Sequence, residues 1–535
     1  MKRNMMTFCM LILGMTSILA QGAFQEYIQC QTDKDFYLSG ERLWFRLWSV
    51  NEKNQPQQGS RIAYVELVGT EVNDARCMVE LKDASAQGVL DLPFTLPSGR
   101  YQLRAYTRNM QNLGEEAFYS KEIAVLNTLR YEEGKDQVSL RNGENPVTLP
   151  TQGNLAVTTD KSTYASREKV NIVLGSLPQV TRVSVSVARQ DGYRFAQSGG
   201  ISPQPLRDLG IEPEVESQLV TGSYRSATGV PATHANLSFL SPAIHYYPGE
   251  VSDGKVVFRT PLLSGVETLY TGVDAGGSIE LESPYVSPRL IQLPTLEIAA
   301  SEESSLVERS LGLQASRHMG TDSLKRRITP VEGLHKYRMT RHYDMDDYKR
   351  FNSFKETFTE YVKECSTTQM NGKSYVTMFD EFTSRQNDGN TLVLLDGVAV
   401  MNHEDLLNYN PRLCKYMDIY YGHYLFGDQV YVGILNVRTI EGKADRFRLP
   451  ANTQIQAYAG PQTATTELLV CGDEALVPLP QNLPDVRHTL YWNPGTDNTQ
   501  LQCLTSDLKG TFVVRVEGIA PDGEKLEGTT TFTVE

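Results

Sequence analysis

From Phe24 to Asn127 the chain runs in short stretches that alternate apolar and polar residues and break at turns. "RLWFRLWSV" (Arg42–Val50), "RIAYVELVG" (Arg61–Gly69), "RCMVELKD" (Arg76–Asp83), "GVLDLPFTL" (Gly88–Leu96), "GRYQLRAYT" (Gly99–Thr107) and "KEIAVL" (Lys121–Leu126) each have strand length. In "LPSGRYQLRAYT" a Pro–Ser–Gly turn leads into a period-two pattern, so one face packs and the other meets solvent. Short strands at this spacing predict a β-sandwich. Tyr131–Pro150 is polar and predicts a linker. A second all-β region opens at Asn154 with "NLAVTTD", "KVNIVLGSL" and "RVSVSVARQD". Ser198–Ser238, rich in Ser, Pro, Gly and Gln, predicts an irregular insertion. Strands resume at Gly254–Leu262 and Val266–Ala275 and end near Pro294.

The period then changes. Ser301–His318 predicts a short helix or a linker. Asn352–Cys365 predicts a helix, with Ser353 and Glu356 as a capping box and Phe354, Phe358, Val362 (or Tyr361) and Cys365 along one face. "TLVLLDGVAV", "NHEDLLNYNP", "KYMDIYYG" and "VYVGILNVRT" (Val430–Thr439) follow as strand, helix, strand and strand, a small α/β unit. Phe447–Glu535 returns to β. The expected division is a leader at 1–23, a sandwich at 24–128, a linker at 129–153 and a second sandwich with an irregular insertion at 154–298. A linker at 299–345, an α/β domain at 346–443 and a C-terminal β-sandwich at 444–535 complete it. The fold class is multidomain and mainly β, with Ig-like sandwiches plus one small α/β domain.

One pattern occurs twice. "TDKDFYLSGERLWFRL" (Thr32–Leu47) and "TDKSTYASREKVNIVL" (Thr159–Leu174) are offset by 127 residues and share seven of sixteen positions. The chain has 535 residues and a net charge of −13, so several domains are expected and no general attraction to nucleic acid. Lys2 and Arg3, the apolar run Met5–Ala20 and the small residues of "ILAQGA" predict a cleaved secretory signal. No later stretch has the length and apolarity of a membrane-spanning helix. Six cysteines remain after the leader: Cys30, Cys77, Cys365, Cys414, Cys471 and Cys503. Their wide scatter argues for core thiols over a disulfide framework or zinc site, with Cys30–Cys77 and Cys471–Cys503 as open pairings.

The paired openings resemble the macroglobulin-type β-sandwich domains of the alpha-2-macroglobulin family, in which "TDK-x-x-Y-x-x-G-E" precedes a strand. Thr32, Asp33, Lys34, Tyr37, Gly40 and Glu41 match, and the second copy has Arg167 in the place of Gly40. A structural role at a strand opening is the expectation for these residues. Leu392–Thr439 resembles the plug domain of TonB-dependent outer-membrane receptors, through Asp396, Gly397, Val398, Gly427, Gly433, Ile434, Asn436 and Thr439. A receptor of that family continues into a barrel of 22 strands, whereas only 96 residues follow Thr439. The combination resembles a family of exported proteins from Bacteroidota, which implies an envelope location.

Chemistry is sparse. "VCGDEA" (Val470–Ala475) resembles a macroglobulin thioester but lacks the Gln that would donate the carbonyl, so a turn is expected. His342, Asp344, Asp346 and Asp347 carry oxygen-rich spacing without the Gly and distal Glu of a calcium loop. G-x-S-x-G, H-E-x-x-H and phosphate-cradling Gly loops do not occur. No catalytic, cofactor-binding or metal residue is assigned, and no cofactor is expected. Tyr-rich "YMDIYYGHYLFGDQVY" (Tyr416–Tyr431) offers interface area. The expected partner surface is therefore Asp396, Gly397, Val398, Tyr420, Tyr421, Tyr424, Phe426 and Gly427. The function expected is a non-enzymatic envelope binding or scaffold protein, docking through the plug-like domain to an outer-membrane barrel transporter or assembly complex. Alternatives are a periplasmic or surface ligand-binding protein using sandwich loops, and a protease-interacting macroglobulin relative without a thioester.

Overall fold

Strand pairing gives each alternating segment its partner. The computed structural model describes residues 24–535 apart from 71–74, 144–152, 194, 196–200, 202–206, 208, 228, 288–289, 328–329, 332, 334–338, 381–384, 387–388, 445–452, 468–469, 472–475 and 477. The expected leader therefore lies outside the described residues. The chain forms two units, one from residues up to 216 with 287–328 and 462–535, the other from 217–286 with 329–461.

In the first unit, one sandwich has a sheet of Tyr27–Thr32, Arg42–Val50 and Ser85–Asp91. Its second sheet runs Phe36–Leu38, Tyr119–Leu126, Gly99–Tyr106, Ile62–Val68, Arg76–Glu80. Phe36–Leu38 pairs parallel with the last strand and the other neighbours pair antiparallel. Arg42–Val50 is buried at every position after Arg42, which explains its nearly continuous apolar reading.

The second sandwich repeats this topology. Its three-stranded sheet is Val157–Thr159, Lys169–Leu174, Gln500–Leu504, and its five-stranded sheet runs Thr163–Tyr164, Lys525–Val534, Gly510–Ile519, Val183–Arg189, Thr489–Thr496. Strand for strand, the order and directions match the first sandwich, down to the short parallel pairing of Thr163–Tyr164 with the last strand. The expected separate C-terminal sandwich at 444–535 is thus corrected: its strands from Thr489 onward are the second half of the sandwich opened at 157. Residues 190–488 enter between its fourth and fifth strands. One core joins Val170, Ile172, Val185 and Val187 to Cys503, Phe512, Val514 and Phe532.

The expected linker at 299–345 is corrected in the same way. Leu296–Ala299 pairs parallel with Val138–Arg141, and helix α1 (Glu303–Met319) follows, ending at Gly320 in the left-handed region (φ 67°). Leu306 and Leu313 of α1 pack against Phe36 and Leu38.

The second unit holds a seven-stranded sheet in the order Gly277–Leu281, Gln218–Ser226, Lys255–Thr260, Tyr247–Ser252, His234–Ser238, Thr268–Val273, Thr453–Ala457. Ser198–Ser238, expected to be irregular, supplies two of these strands, because "QLVTGSYRS" and "HANLS" are strands made of small and polar residues. Between Gly277–Leu281 and Thr453–Ala457 lies the α/β subdomain. Its sheet runs Arg341–Asp344, Cys414–Phe426, Gln429–Thr439, Leu392–Leu395, Val398–Ala399. Helix α2 (Phe354–Glu360) begins as expected at Ser353, whose side chain accepts from the Glu356 N–H. It stops before Cys365, which starts the hairpin Cys365–Met370/Lys373–Asp380.

Helix α3 (His403–Leu407) carries a buried imidazole. His403 Nδ1 accepts from the Val376 N–H at 3.1 Å, and burial lowers its pKa to about 4. The unfolded chain takes up this proton near pH 6.5 and the folded chain does not, so stability is lost as pH falls between those values. We expect His403→Asn to remove roughly 3 kcal/mol of acid destabilisation between pH 6.5 and 4. Urea unfolding followed by far-UV circular dichroism at both pH values checks this, and an unchanged slope refutes it.

Candidate functional site

The eight residues expected to face a partner are largely covered by their own unit. Asp396 and Gly397 form the two-residue turn between Leu392–Leu395 and Val398–Ala399, with φ of 53° and 89°. Asp396 is fully buried: its carboxylate accepts from the Thr439 N–H at 2.9 Å, the Thr439 hydroxyl at 2.5 Å and the Ala444 N–H at 2.6 Å. A Cβ on Gly397 would stand 2.7 Å from the Phe239 carbonyl oxygen. Val398 is 1% exposed. Tyr424 and Phe426 are buried and Tyr420 half-buried against Ile244 and Tyr246. Tyr246 and Tyr431 share a hydroxyl hydrogen bond of 2.6 Å. Tyr421 packs on the α/β core, beside a β-bulge between Tyr420 and His423. Gly427 is exposed but seats against Pro248, 3.3 Å from a would-be Cβ.

Next to that turn, His234 meets Asp274 through Nδ1 and Asp428 through Nε2, both at 3.1 Å. A neutral ring has one N–H, so this geometry calls for the imidazolium. Burial opposes that charge, but the two carboxylates outweigh it and raise the pKa. The exposed apolar residues of the hairpin are Leu425 and its cross-strand partner Val430, which alternation alone did not single out.

The first unit contains a charged cradle made by the repeated opening. Asp33 Oδ1 accepts from the Tyr37 hydroxyl at 2.8 Å and the Trp44 N–H at 3.0 Å. Lys34 Nζ lies 3.2 Å from Glu41 Oε2. Arg309 of α1 clamps both oxygens of Glu41 at 2.7 Å and donates to the Phe36 carbonyl at 3.0 Å. Thr489, opening the fifth strand of the second sandwich, donates to Asp33 Oδ2 at 2.9 Å and accepts from Lys34 at 3.2 Å. Gly40 has φ 91°, and a Cβ there would meet the Phe94 ring at 2.2 Å. Burial pushes the Glu41 carboxyl up, but Arg309 and Lys34 outweigh it and hold it well below the usual carboxylate range. Burial and then Arg309 keep His488 neutral. Lys34, Glu41, Arg309, His488 and Thr489 line one side of a cavity of about 100 Å³ that Trp44, Leu313 and Val486 also border. Sequence reasoning found the first-sandwich residues of this cradle and missed Arg309, His488 and Thr489.

The second copy is built alike and stands open. The Tyr164 hydroxyl donates to Asp160 Oδ1 at 2.6 Å, and the Asn171 N–H donates to the same oxygen at 2.9 Å. Lys161 pairs with Glu168. Arg167 adopts the left-handed conformation of Gly40 (φ 58°) and turns to Asp507, donating at 2.8 and 2.7 Å. The side chains of Lys34 and Glu41 are 8% and 9% exposed, whereas those of Lys161 and Glu168 are 53% and 31% exposed.

The remaining motifs have local partners. His342 pairs with Asp418 at 2.6 Å, Asp344 caps the turn by accepting from the Asp346 N–H, and Asp346 pairs with Arg350. Among the described residues no group of three or more His, Cys, Asp or Glu side chains is placed to hold a metal ion. Cys30, Cys77, Cys365, Cys414, Cys471 and Cys503 are free thiols, so neither open pairing forms. Burial pushes the Cys503 thiol up to about 12. Cys471 makes an isolated β-bridge with Trp492, and Gly472–Ala475 of "VCGDEA" lie outside the described residues.

No protein-family model matches the chain. No curated protein sequence matches it either. Among solved structures it is similar to Salmonella alpha-2-macroglobulin reacted with methylamine, at 9% identity and a TM-score of 0.23, over 96% of this chain and 39% of that one. It is also similar to the native conformation of Escherichia coli alpha-2-macroglobulin, at 8% identity and a TM-score of 0.24, over 96% of this chain and 40% of that one. The Escherichia coli adhesin FdeC matches over 51% of this chain and 64% of its own, at 12% identity and a TM-score of 0.15. The chain thus spans about two fifths of the length of the macroglobulins it matches.

Proposed function

We propose that the chain is an exported, non-enzymatic binding or scaffold protein of the cell envelope. The observation that carries this reading is the cradle at Lys34–Glu41. Its enclosed charges neutralise one another and tie the first sandwich to α1 and to the second sandwich, which is the chemistry of a joint. The basic and apolar start of the sequence supports export. Among the described residues no helix is long and apolar enough to cross a membrane. A barrel transporter or assembly complex remains the expected kind of envelope partner. It would meet surfaces other than Asp396–Val398, since those residues hold their own unit together. Cross-linking in cells, followed by fractionation and identification of attached proteins, tests the reading. Envelope proteins joined to the intact chain are the expected result. A chain that emerges alone and freely soluble would sink it.

A further inference from the structure

Within the second unit, the tip of the hairpin Cys414–Phe426/Gln429–Thr439 meets the seven-stranded sheet and its flank through two kinds of contact. One is apolar. The Phe426 ring stands edge-on to Tyr246 at 5.1 Å, and Gly427 seats against Pro248. The other is ionic. His234, the first residue of its strand, donates from Nε2 to Asp428 in the hairpin turn and from Nδ1 to Asp274, each at 3.1 Å. The two carboxylates are not equivalent. Asp274 also accepts from the Thr233 hydroxyl at 2.7 Å and from the Thr233 and His234 N–H groups at 3.1 and 3.2 Å. Asp428, with a side chain 76% exposed, bonds through its carboxylate to the ring alone among the described residues.

We propose that His234 is a pH-sensitive latch, which ties the hairpin tip to the seven-stranded sheet as an imidazolium and lets the tip loosen as a neutral ring. If Nε2 gives up its proton, a lone pair faces the Asp428 carboxylate. If Nδ1 does, the Thr233 hydroxyl 2.8 Å away turns to it, and Asp428 keeps only an uncharged bond. Either way the ion pair with Asp428 is lost. The titratable groups facing the ring are Asp274, Asp428 and the cross-strand neighbour Glu250, all acidic. Burial opposes the charged ring, and Asp428 and Asp274 outweigh burial and raise its pKa. The latch is therefore closed below about pH 6.5, the value of the unfolded ring, and opens as pH rises through the higher value of the folded one. The apolar contacts do not titrate, so the tip loosens without detaching. That tip carries the exposed cross-strand pair Leu425 and Val430, and the latch sets how firmly the pair is presented. The device does not depend on which partner the chain meets.

The test uses the full chain. NMR follows the His234 ring across pH, with its signal assigned by loss in His234→Gln, and hydrogen exchange follows the Asp428 and Gln429 amides relative to their unstructured rates at each pH. The ring midpoint is expected above pH 6.5, and protection of the tip amides is expected to fall about two- to fivefold through that midpoint. Asp428→Asn is expected to lower the midpoint, and His234→Gln to leave tip protection flat with pH. The ring and exchange readings on the unaltered chain do not depend on how a variant folds. A ring midpoint at or below pH 6.5, tip protection that stays level through it, or a pH dependence that survives His234→Gln overturns the proposal.

Discussion

Replacing Arg309 by methionine is expected to destabilise the first unit by about 3–5 kcal/mol at pH 7, although Arg309 lies far in sequence from the sandwich it supports. The guanidinium is 3% exposed and gives both Glu41 oxygens a 2.7 Å partner. Removing it leaves Glu41 with Lys34 alone, at 3.2 Å, in a site already closed to water. The cost is that of an uncompensated buried charge, not the small net worth of an ion pair. Glu41→Gln combined with Arg309→Met is therefore expected to cost less than Arg309→Met alone. All three tryptophans, Trp44, Trp48 and Trp492, lie in this unit, so urea unfolding read by tryptophan fluorescence reports on it selectively. Acid adds a second signature. The Glu41 carboxyl is held below its unfolded value, so its stabilisation is present above about pH 4.5 and lost as pH falls below that. His488 works in the same direction, because the unfolded chain takes its proton below about pH 6.5 and the buried ring refuses it. Arg309→Met should flatten the branch below pH 4.5. A loss under about 1 kcal/mol at pH 7 would show that the pair is replaceable.

The cradle also shows how far the sequence could be read. Its first-sandwich half was legible because Asp, Lys, Tyr and Glu recur at one offset, and the structure builds the same hydrogen bonds on both copies. The residues that complete it were not. Arg309 sits on a helix whose inner face carries Leu306 and Leu313 but is interrupted between them by buried Arg309, Ser310 and Gly312, so no continuous apolar stripe marks it. Thr489 comes from a strand whose partner, Val183–Arg189, lies about 300 residues earlier in the sequence. Period-two alternation identifies a strand and its wet face but is silent on which strand it joins. For that reason 444–535 read as a sandwich of its own, and the match between the two sandwich topologies became visible only through pairing. Polar strands failed for the opposite reason: "QLVTGSYRS" has the residues of a loop, and its neighbours Lys255–Thr260 and Gly277–Leu281 make it a strand. In the α/β subdomain the helix start at Ser353 was legible because it depends on chemistry within a few residues, whereas "TLVLLDGVAV" read as one strand and the structure folds it back on itself at Asp396–Gly397.

Asp396→Ala is expected to destabilise the second unit by about 3–5 kcal/mol, the largest single-residue effect expected there. Its backbone occupies the left-handed region that Asp and Asn tolerate better than alanine, and Gly397 beside it does the same, as a two-residue hairpin turn requires. Its carboxylate stitches this turn to the far end of the subdomain, across 43 residues to Thr439 and 48 to Ala444. Removing it strands the Thr439 N–H and hydroxyl in the interior, where Thr439 is 2% exposed, and leaves Arg438 without the carboxylate 3.5 Å away. Asp396→Asn keeps the backbone preference and one acceptor, so about 1–2 kcal/mol is expected for it. Hydrogen exchange over Leu392–Thr439 separates the two variants, with Thr439 losing protection more in the alanine variant than in the asparagine one. Recognition and internal stapling at Asp396 give different results in the alanine variant. If it were a recognition residue, alanine would impair cross-linking to envelope proteins while exchange stayed near that of the unaltered chain. If it is the staple that the hydrogen bonds describe, exchange rises first and any loss of partner follows from it. The hairpin turn and the strand ending "NVRT" then belong together because one carboxylate closes both.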